Sequence, residues 1–165
     1  NLFAYTGGFT LAAALGGAEA TVTVDAAASA CRWAGRNLVL NGFAAGEAHR
    51  IVRADAFDYL RRAARKSERY GLVVCDPPGF ATVGRKRWSA ERDLAELVAL
   101  CRAVLPPGGE MLVTVNLHSM PEKAFAAAVA EGLGPSAGFA TYPPPRDFPL
   151  AGGRAHLKTA WARAT

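Results

Sequence analysis

The amino-acid sequence predicts an α/β fold, a doubly wound and mostly parallel sheet with helices on both faces. Three observations carry this. Short apolar runs alternate with helical patterns along the whole chain. Three of the runs end in an aspartate: Asp25, Asp55 and Asp76. The last continues as Asp76-Pro77-Pro78-Gly79-Phe80, and proline has no N–H to donate to a ladder, so it ends a central strand. Ligands of such sheets bind outside the carboxyl ends of the strands, which is where these acidic turns would lie.

The elements follow in order. Residues 1–3 read as a strand end, and the Gly7-Gly8 turn leads into a helix over 9–15 closed by Gly16-Gly17. A strand over 20–24 ends at Asp25, and an alanine-rich helix over 26–40 stops at Asn41-Gly42, a good C-terminal signal. A short strand over 50–54 ends at Asp55, followed by a helix over 56–66 and the strand over 71–75. Gly84-Arg85-Lys86-Arg87-Trp88 reads as a loop. Ser89 is placed to cap the next helix, in which Leu94, Leu97, Val98, Cys101 and Leu105 form one apolar stripe. After Pro106-Pro107-Gly108-Gly109 come a strand over 110–115, a helix over 122–131 and an extended segment over 138–142. The proline-rich stretch 143–149 is a loop, and 157–163 is the last strand.

Composition narrows the class. A chain of 165 residues is one domain, spanning 1–165, with enough core to cover a sheet. No apolar run reaches membrane-spanning length and no secretory signal is visible, so a cytoplasmic protein without membrane contact is expected. Cys31, Cys75 and Cys101 are odd in number and far apart, which argues for buried thiols in a reducing compartment. His49, His118 and His156 form no metal-ligand spacing, and no metal is expected. The net charge of +5 suits a polyanion. Cations beside an aromatic at Arg85, Lys86, Arg87 and Trp88 suit RNA, where cations hold phosphates and rings stack on unpaired bases.

Each candidate site residue has a bland alternative. Tyr5-Thr6-Gly7-Gly8 joins a strand to a helix; its glycines allow close backbone approach and the helix start favours an anion, or it is only a tight turn. It does not match Gly-x-Gly-x-x-Gly. Asp25 could accept both hydroxyls of a ribose, and the Asp55 side chain or the adjacent Ala56 and Phe57 amides could meet an adenine edge; either aspartate could simply cap a helix. Three acidic strand ends in succession are harder to explain by capping than one. Together they point to a nucleoside-containing cofactor, with the reacting group held at Asp76.

The segments Asn1-Leu2-Phe3-Ala4-Tyr5-Thr6-Gly7-Gly8-Phe9, Asp25, Asp55, Asp76-Pro77-Pro78-Gly79-Phe80 and Leu105-Pro106-Pro107-Gly108-Gly109 resemble class I S-adenosylmethionine-dependent methyltransferases. In particular they resemble the bacterial 23S ribosomal RNA methyltransferases of the large-subunit I and K/L type. The resemblance implies a Rossmann-like, seven-stranded sheet with an antiparallel last strand, and a longer protein carrying an N-terminal RNA-binding part. It implies S-adenosylmethionine as cofactor, S-adenosylhomocysteine as product and ribosomal RNA as partner. It places Tyr5, Thr6, Gly7, Gly8, Asp25, Asp55, Ala56 and Asp76 at the cofactor, and Asp76, Pro77, Pro78, Phe80 and Asn116 at the target base. Members that methylate cytosine C5 carry a nucleophilic cysteine where this chain has Asn116, so transfer to nitrogen is expected. Rival readings are a methyltransferase acting on protein or a small molecule, and an inactive RNA-binding module of the same fold. An NAD-dependent dehydrogenase comes last, because the glycine pattern is wrong.

Overall fold

The computed structural model describes residues 1–44, 46–83, 86–135, 138–148 and 156–165, with the backbone alone at 83 and 86. The chain divides into two compact units, 1–59 and 60–165.

The first unit holds α1 (Gly8–Leu15), β1 (Thr21–Asp25), α2 (Ala28–Leu40), β2 (His49–Arg53) and the start of α3 (Ala56–Arg65). β1 and β2 pair in parallel from Thr21↔His49 to Asp25↔Arg53. The expected strand at 1–3 is reduced to one parallel bridge, Leu2 to Val24, flanked by Val24 N–H to the Asn1 carbonyl at 2.8 Å and Ala4 N–H to the Val24 carbonyl at 3.1 Å. α2 buries Ala30, Ala34 and Leu38, one stripe at helical spacing. Small residues there let the helix lie close to its neighbours: a Cβ on Gly7 would come within 2.9 Å of the Ala34 Cβ. The buried hydroxyls are satisfied by each other, Thr10 Oγ1 to Thr23 Oγ1 at 2.8 Å. His49 is a core histidine whose Nδ1 lies 3.0 Å from the Thr21 hydroxyl and whose ring meets Phe43 edge-on.

The second unit holds β3 (Leu72–Cys75), β4 (Phe80–Val83), β5 (Lys86–Ser89), α4 (Ala90–Arg102), β6 (Glu110–Asn116), α5 (Glu122–Leu133), β7 (Gly138–Tyr142) and β8 (Leu157–Arg163). Its main sheet runs β3-β6-β8-β7. β3 is parallel to β6, and β8 is antiparallel to both β6 and β7. The core is built from Met111, Val113 and Val115 of β6, Ala160 and Ala162 of β8, and two helical stripes. The α4 stripe is the expected Leu94, Leu97, Val98 and Cys101, without Leu105, which lies past the helix end at Arg102; the α5 stripe is Phe125, Val129 and Leu133. α4 and α5 cross at Gly132, where a Cβ would lie 2.4 Å from the Ala95 carbonyl oxygen and 2.6 Å from the Val98 Cβ.

The α/β class is as expected, and so is the order of elements apart from a hairpin between β3 and α4. A single seven-stranded sheet is not among the described pairings, which give a two-stranded parallel sheet, a four-stranded mixed one and a two-stranded antiparallel hairpin. Two expectations are corrected here. The segment read as a loop at 84–88 is largely strand: β5 pairs antiparallel with β4, from Phe80↔Ser89 to Val83↔Lys86. Gly84 and Arg85 lie outside the described residues. Ser89 does precede α4, but its hydroxyl does not cap; its N–H donates instead to Asp93 Oδ2 at 2.9 Å. Among the described residues no helix is long and apolar enough to cross a membrane.

Candidate active site

In the first unit the site begins with an unusual backbone. Phe3, Tyr5 and Gly7 have φ of 53°, 48° and 80°. Left-handed conformation in two non-glycine residues costs about 1–2 kcal/mol each, and such outliers concentrate at functional sites. The turn is held by Gly7 N–H to the Ala4 carbonyl at 2.8 Å and by the Asn37 side-chain amide donating to the Thr6 carbonyl at 2.8 Å. It leaves the Tyr5 ring exposed, edge-on to Trp33 at 6.5 Å between centroids.

Asp25 closes this loop from the other side of the β1 terminus. Its Oδ2 accepts the Tyr5 N–H at 2.9 Å and its Oδ1 accepts the Ala27 N–H at 2.8 Å. It does not cap α2, whose N-cap position is Ala27. A carboxylate oxygen has two acceptor positions, so each oxygen keeps one for a hydroxyl pair. α1 starts at Gly8 with no side-chain cap and no acidic residue in its first turn. Its leading N–H groups and its positive end are therefore available to an anion. A Cβ built on Gly8 would meet nothing within 4 Å, so open space lies over that helix start. A carboxylate partner for the helix, a diol partner for Asp25 and room above Gly8 fit the amino-acid and ribose ends of the expected cofactor. For Asp55 the bland alternative is realised in part: its Oδ1 accepts the Asp58 N–H at 3.1 Å at the start of α3, beside the buried Ala56.

In the second unit the site is the turn after β3. Pro77 is buried, Pro78 is exposed and the Phe80 ring is 79% exposed. Four contacts fix this turn. The Thr114 hydroxyl donates to Asp76 Oδ1. The Trp88 indole N–H donates to the Pro78 carbonyl at 2.7 Å. The Ala90 N–H donates to the Gly79 carbonyl at 2.9 Å. Leu117 packs on Gly79, where a Cβ would lie 2.8 Å from its Cδ1. Asp76 is thus held by one oxygen while the other keeps its acceptor positions.

Trp88 is accordingly not the exposed stacking ring expected of it; it is buried, because its indole is the brace of the Pro78 turn. Arg87 is exposed and its carbonyl accepts from the Arg92 guanidinium at 2.7 Å. Arg85 lies outside the described residues, and Lys86 is described by its backbone alone. Asn116 is exposed at the end of β6. Thr114, two residues earlier on the same strand face, is what orders Asp76.

The sequence reading missed Thr114 and Lys158. Lys158 is 4% exposed, and its ammonium donates to the Leu117 carbonyl and to the His156 carbonyl. Burial pulls its pKa below the ordinary lysine value, opposed by the attraction of Glu122. The only sequence signal was position: Lys158 alternates with Ala160 and Ala162, which are core residues.

The thiols are quiet. Cys75 is fully buried, and its hydrogen bond with Cys101 and its burial push it well above the usual thiol range. Burial, then the Asp25 charge, raises Cys31 as well. Thiolate is the reactive form. Iodoacetamide at pH 8 is therefore expected to leave Cys75 unmodified in the native protein and to modify it after unfolding. Rapid native modification, read by peptide mass, would show the β3 end to be open. Among the described residues no cluster of three or more metal-ligating side chains exists.

Comparison with known proteins identifies the family. A family profile described as S-adenosylmethionine-dependent methyltransferase matches residues 1–163. The chain is 41% identical over 137 residues to the ribosomal RNA large subunit methyltransferase K/L of Methylococcus capsulatus, covering 81% of this chain and 18% of that protein. It is 42% identical over 123 residues to the ribosomal RNA large subunit methyltransferase K of Neisseria meningitidis serogroup B, covering 72% of this chain and 34% of that protein. The chain thus spans between about a sixth and a third of the length of these curated relatives. Among solved structures, SMU.776, crystallised with S-adenosylhomocysteine, superposes with a TM-score of 0.91 at 28% identity, covering 99% of this chain and 44% of that one. A methyltransferase from Agrobacterium tumefaciens superposes at 0.78 with 26% identity, covering 99% and 54%. The chain belongs to the S-adenosylmethionine-dependent methyltransferase family.

Proposed function

We propose that this chain carries the methyl-transfer step of a ribosomal RNA methyltransferase acting on a base of 23S RNA, at nitrogen. The observation that carries the proposal is the Asp76 carboxylate, fixed through one oxygen by Thr114 at a braced Pro-Pro turn, with the exposed Phe80 ring four residues on. The names of the relatives, ribosomal RNA large subunit methyltransferases K and K/L, support RNA as the acceptor. The net charge of +5 and the exposed Arg87 support a polyanionic partner.

The cofactor would supply an electrophilic sulfonium methyl group. The chain supplies position. Tyr5, Thr6, Gly7 and Gly8 with the α1 start would hold the amino-acid end, Asp25 the ribose, and Asp55 with Ala56 the adenine. The second oxygen of Asp76 and the Pro77 carbonyl would accept hydrogen bonds from an amino group of the base, and Phe80 would stack on a base drawn out of its stack. Pro78 shapes the turn through its own carbonyl, which is held by Trp88. Asn116, exposed at the β6 end, would meet the base edge. A nitrogen with a lone pair needs orientation against the methyl group and no covalent activation. Asn116 in place of the cysteine, with Cys75 fully buried, favours nitrogen over cytosine C5, which requires a thiolate nucleophile. We also infer the seven-stranded sheet of the sequence reading: segment 1–3 with β1, β2, β3, β6, β7 and β8 supplies the number.

Calorimetry with S-adenosylhomocysteine tests the cofactor half. Asp25→Ala is expected to weaken binding by about 1–3 kcal/mol, because a charged acceptor is removed from a hydroxyl pair. It also frees the Tyr5 and Ala27 N–H groups that the carboxylate now holds. Unchanged affinity would refute the ribose assignment. The RNA half is tested by tritium transfer to unmodified 23S RNA, and RNA containing 5-fluorocytosine should trap no covalent adduct.

A further inference from the structure

Lys158 is a buried cation standing where the pattern of β8 calls for an apolar residue. Along that strand Lys158, Ala160 and Ala162 are buried while Leu157, Thr159 and Trp161 are partly exposed. β8 pairs with β6 so that Leu157 faces Asn116 and Lys158 faces Val115. The lysine side chain reaches past the end of β6. Its Nζ donates to the Leu117 carbonyl and, at 3.0 Å, to the carbonyl of His156. That same His156 carbonyl accepts the Leu117 N–H at 3.1 Å. Leu117 is therefore held at both its N–H and its carbonyl, by the end of β8 and the lysine on it. Its side chain in turn presses on Gly79 of the Asp76–Gly79 turn. One ammonium fixes the residue next to Asn116 and, through Leu117, the backbone that follows Asp76.

Stability is a poor reason for such a group. Burying a charge costs free energy, and replacing buried charges by apolar side chains of similar volume is often neutral or stabilising. Where burial is retained despite that, orientation of a particular segment is the better account.

We propose that Lys158 is a positioning residue for methyl transfer: it sets the segment 116–118, and through Leu117 the Asp76 turn, in the geometry that receives the acceptor base. The proposal rests on the reading of Asp76 and Asn116 as the acceptor side of the site. Lys158 touches neither substrate nor cofactor in this account.

The test is steady-state transfer from S-adenosylmethionine to unmodified 23S RNA, with kcat and KM measured separately. Lys158→Met keeps an unbranched apolar stem, one atom shorter, and removes the donors. It is expected to fold and to bind S-adenosylhomocysteine as the wild type does, while kcat falls about tenfold or more, the size of a sub-ångström to one-ångström misplacement. KM for the cofactor should stay within about twofold, since uniform binding is untouched. Lys158→Arg should recover most of kcat, and the shorter, neutral Lys158→Gln little. A wild-type kcat in Lys158→Met overturns the proposal, and one in Lys158→Gln overturns it even where the methionine variant fails to fold. Hydrogen exchange at residues 116–119 provides a readout without RNA. It should quicken in Lys158→Gln and Lys158→Met, and unchanged protection overturns the proposal. Wild-type protein that methylates no RNA while those amides do quicken strikes the RNA reading and leaves the anchoring by Lys158 supported.

Discussion

Asp76→Ala is expected to lower kcat for transfer to RNA by about a hundredfold or more while S-adenosylhomocysteine affinity changes little. The carboxylate is the one charged acceptor on the braced turn after β3, and loss of orientation at a reacting centre costs on that scale. The substitution also leaves the Thr114 hydroxyl, on a residue only 7% exposed, without its acceptor. That adds roughly 1–3 kcal/mol of instability, so activity has to be measured well below the melting transition. Two companions separate orientation from acceptance. Asp76→Asn can still accept from Thr114 but turns the second oxygen into a donor, and a large loss there assigns the effect to the base contact. Thr114→Val removes the tether and keeps the carboxylate, so its loss should be smaller. If Asp76→Ala retains most of kcat, the acceptor side of the site lies elsewhere.

Gly132→Ala is expected to lower the melting temperature by roughly 2–8 °C, the helix-propensity gain subtracted from the overlap cost. Alanine in place of glycine within a helix ordinarily gains about 1 kcal/mol. Here the new methyl would sit 2.4 Å from a backbone oxygen of α4 and 2.6 Å from the Val98 Cβ. Neither atom is the far end of a flexible chain, so α4 and α5 must part. Overpacking of this kind costs about 1–3 kcal/mol and occasionally more. At this chain length each kcal/mol moves the transition by roughly 2–4 °C. Overlap therefore wins over propensity. A melting temperature at or above that of the wild type would show that the two helices separate without cost.

Much of the fold was legible because its signals are local. Tyr70-Gly71-Leu72-Val73-Val74-Cys75 before Asp-Pro-Pro can only be a strand that stops, and the stripe Leu94, Leu97, Val98, Cys101 can only be one helix face. Strand ends bearing Asp25, Asp55 and Asp76 were visible for the same reason. The hairpin β4–β5 was not, since Lys86-Arg87-Trp88 has the composition of a solvated loop and its pairing partner lies upstream in another segment. A closer signal existed: Phe80-Ala81-Thr82-Val83 is a β-forming run only two residues from Lys86. Trp88 followed the hairpin inward, and its ring became a brace. Thr114 and Lys158 were invisible for a different reason. A threonine in an apolar strand and a lysine near a chain end read as filler and surface. Only the registers β3–β6 and β6–β8 bring the first to Asp76 and the second to Leu117.

The left-handed residues Phe3 and Tyr5 set two selections against each other. A library of variants screened for heat resistance alone would favour glycine or asparagine at position 5, because either relieves about 1 kcal/mol of backbone strain. Glycine would also widen the unfolded ensemble and so return part of that gain. What such a variant loses is rigidity in the N–H that Asp25 now holds at 2.9 Å. Hardened enzymes recovered from that screen should therefore come back with looser cofactor binding, and a screen for turnover should restore tyrosine or another bulky side chain there. At this position the molecule trades lifetime for readiness.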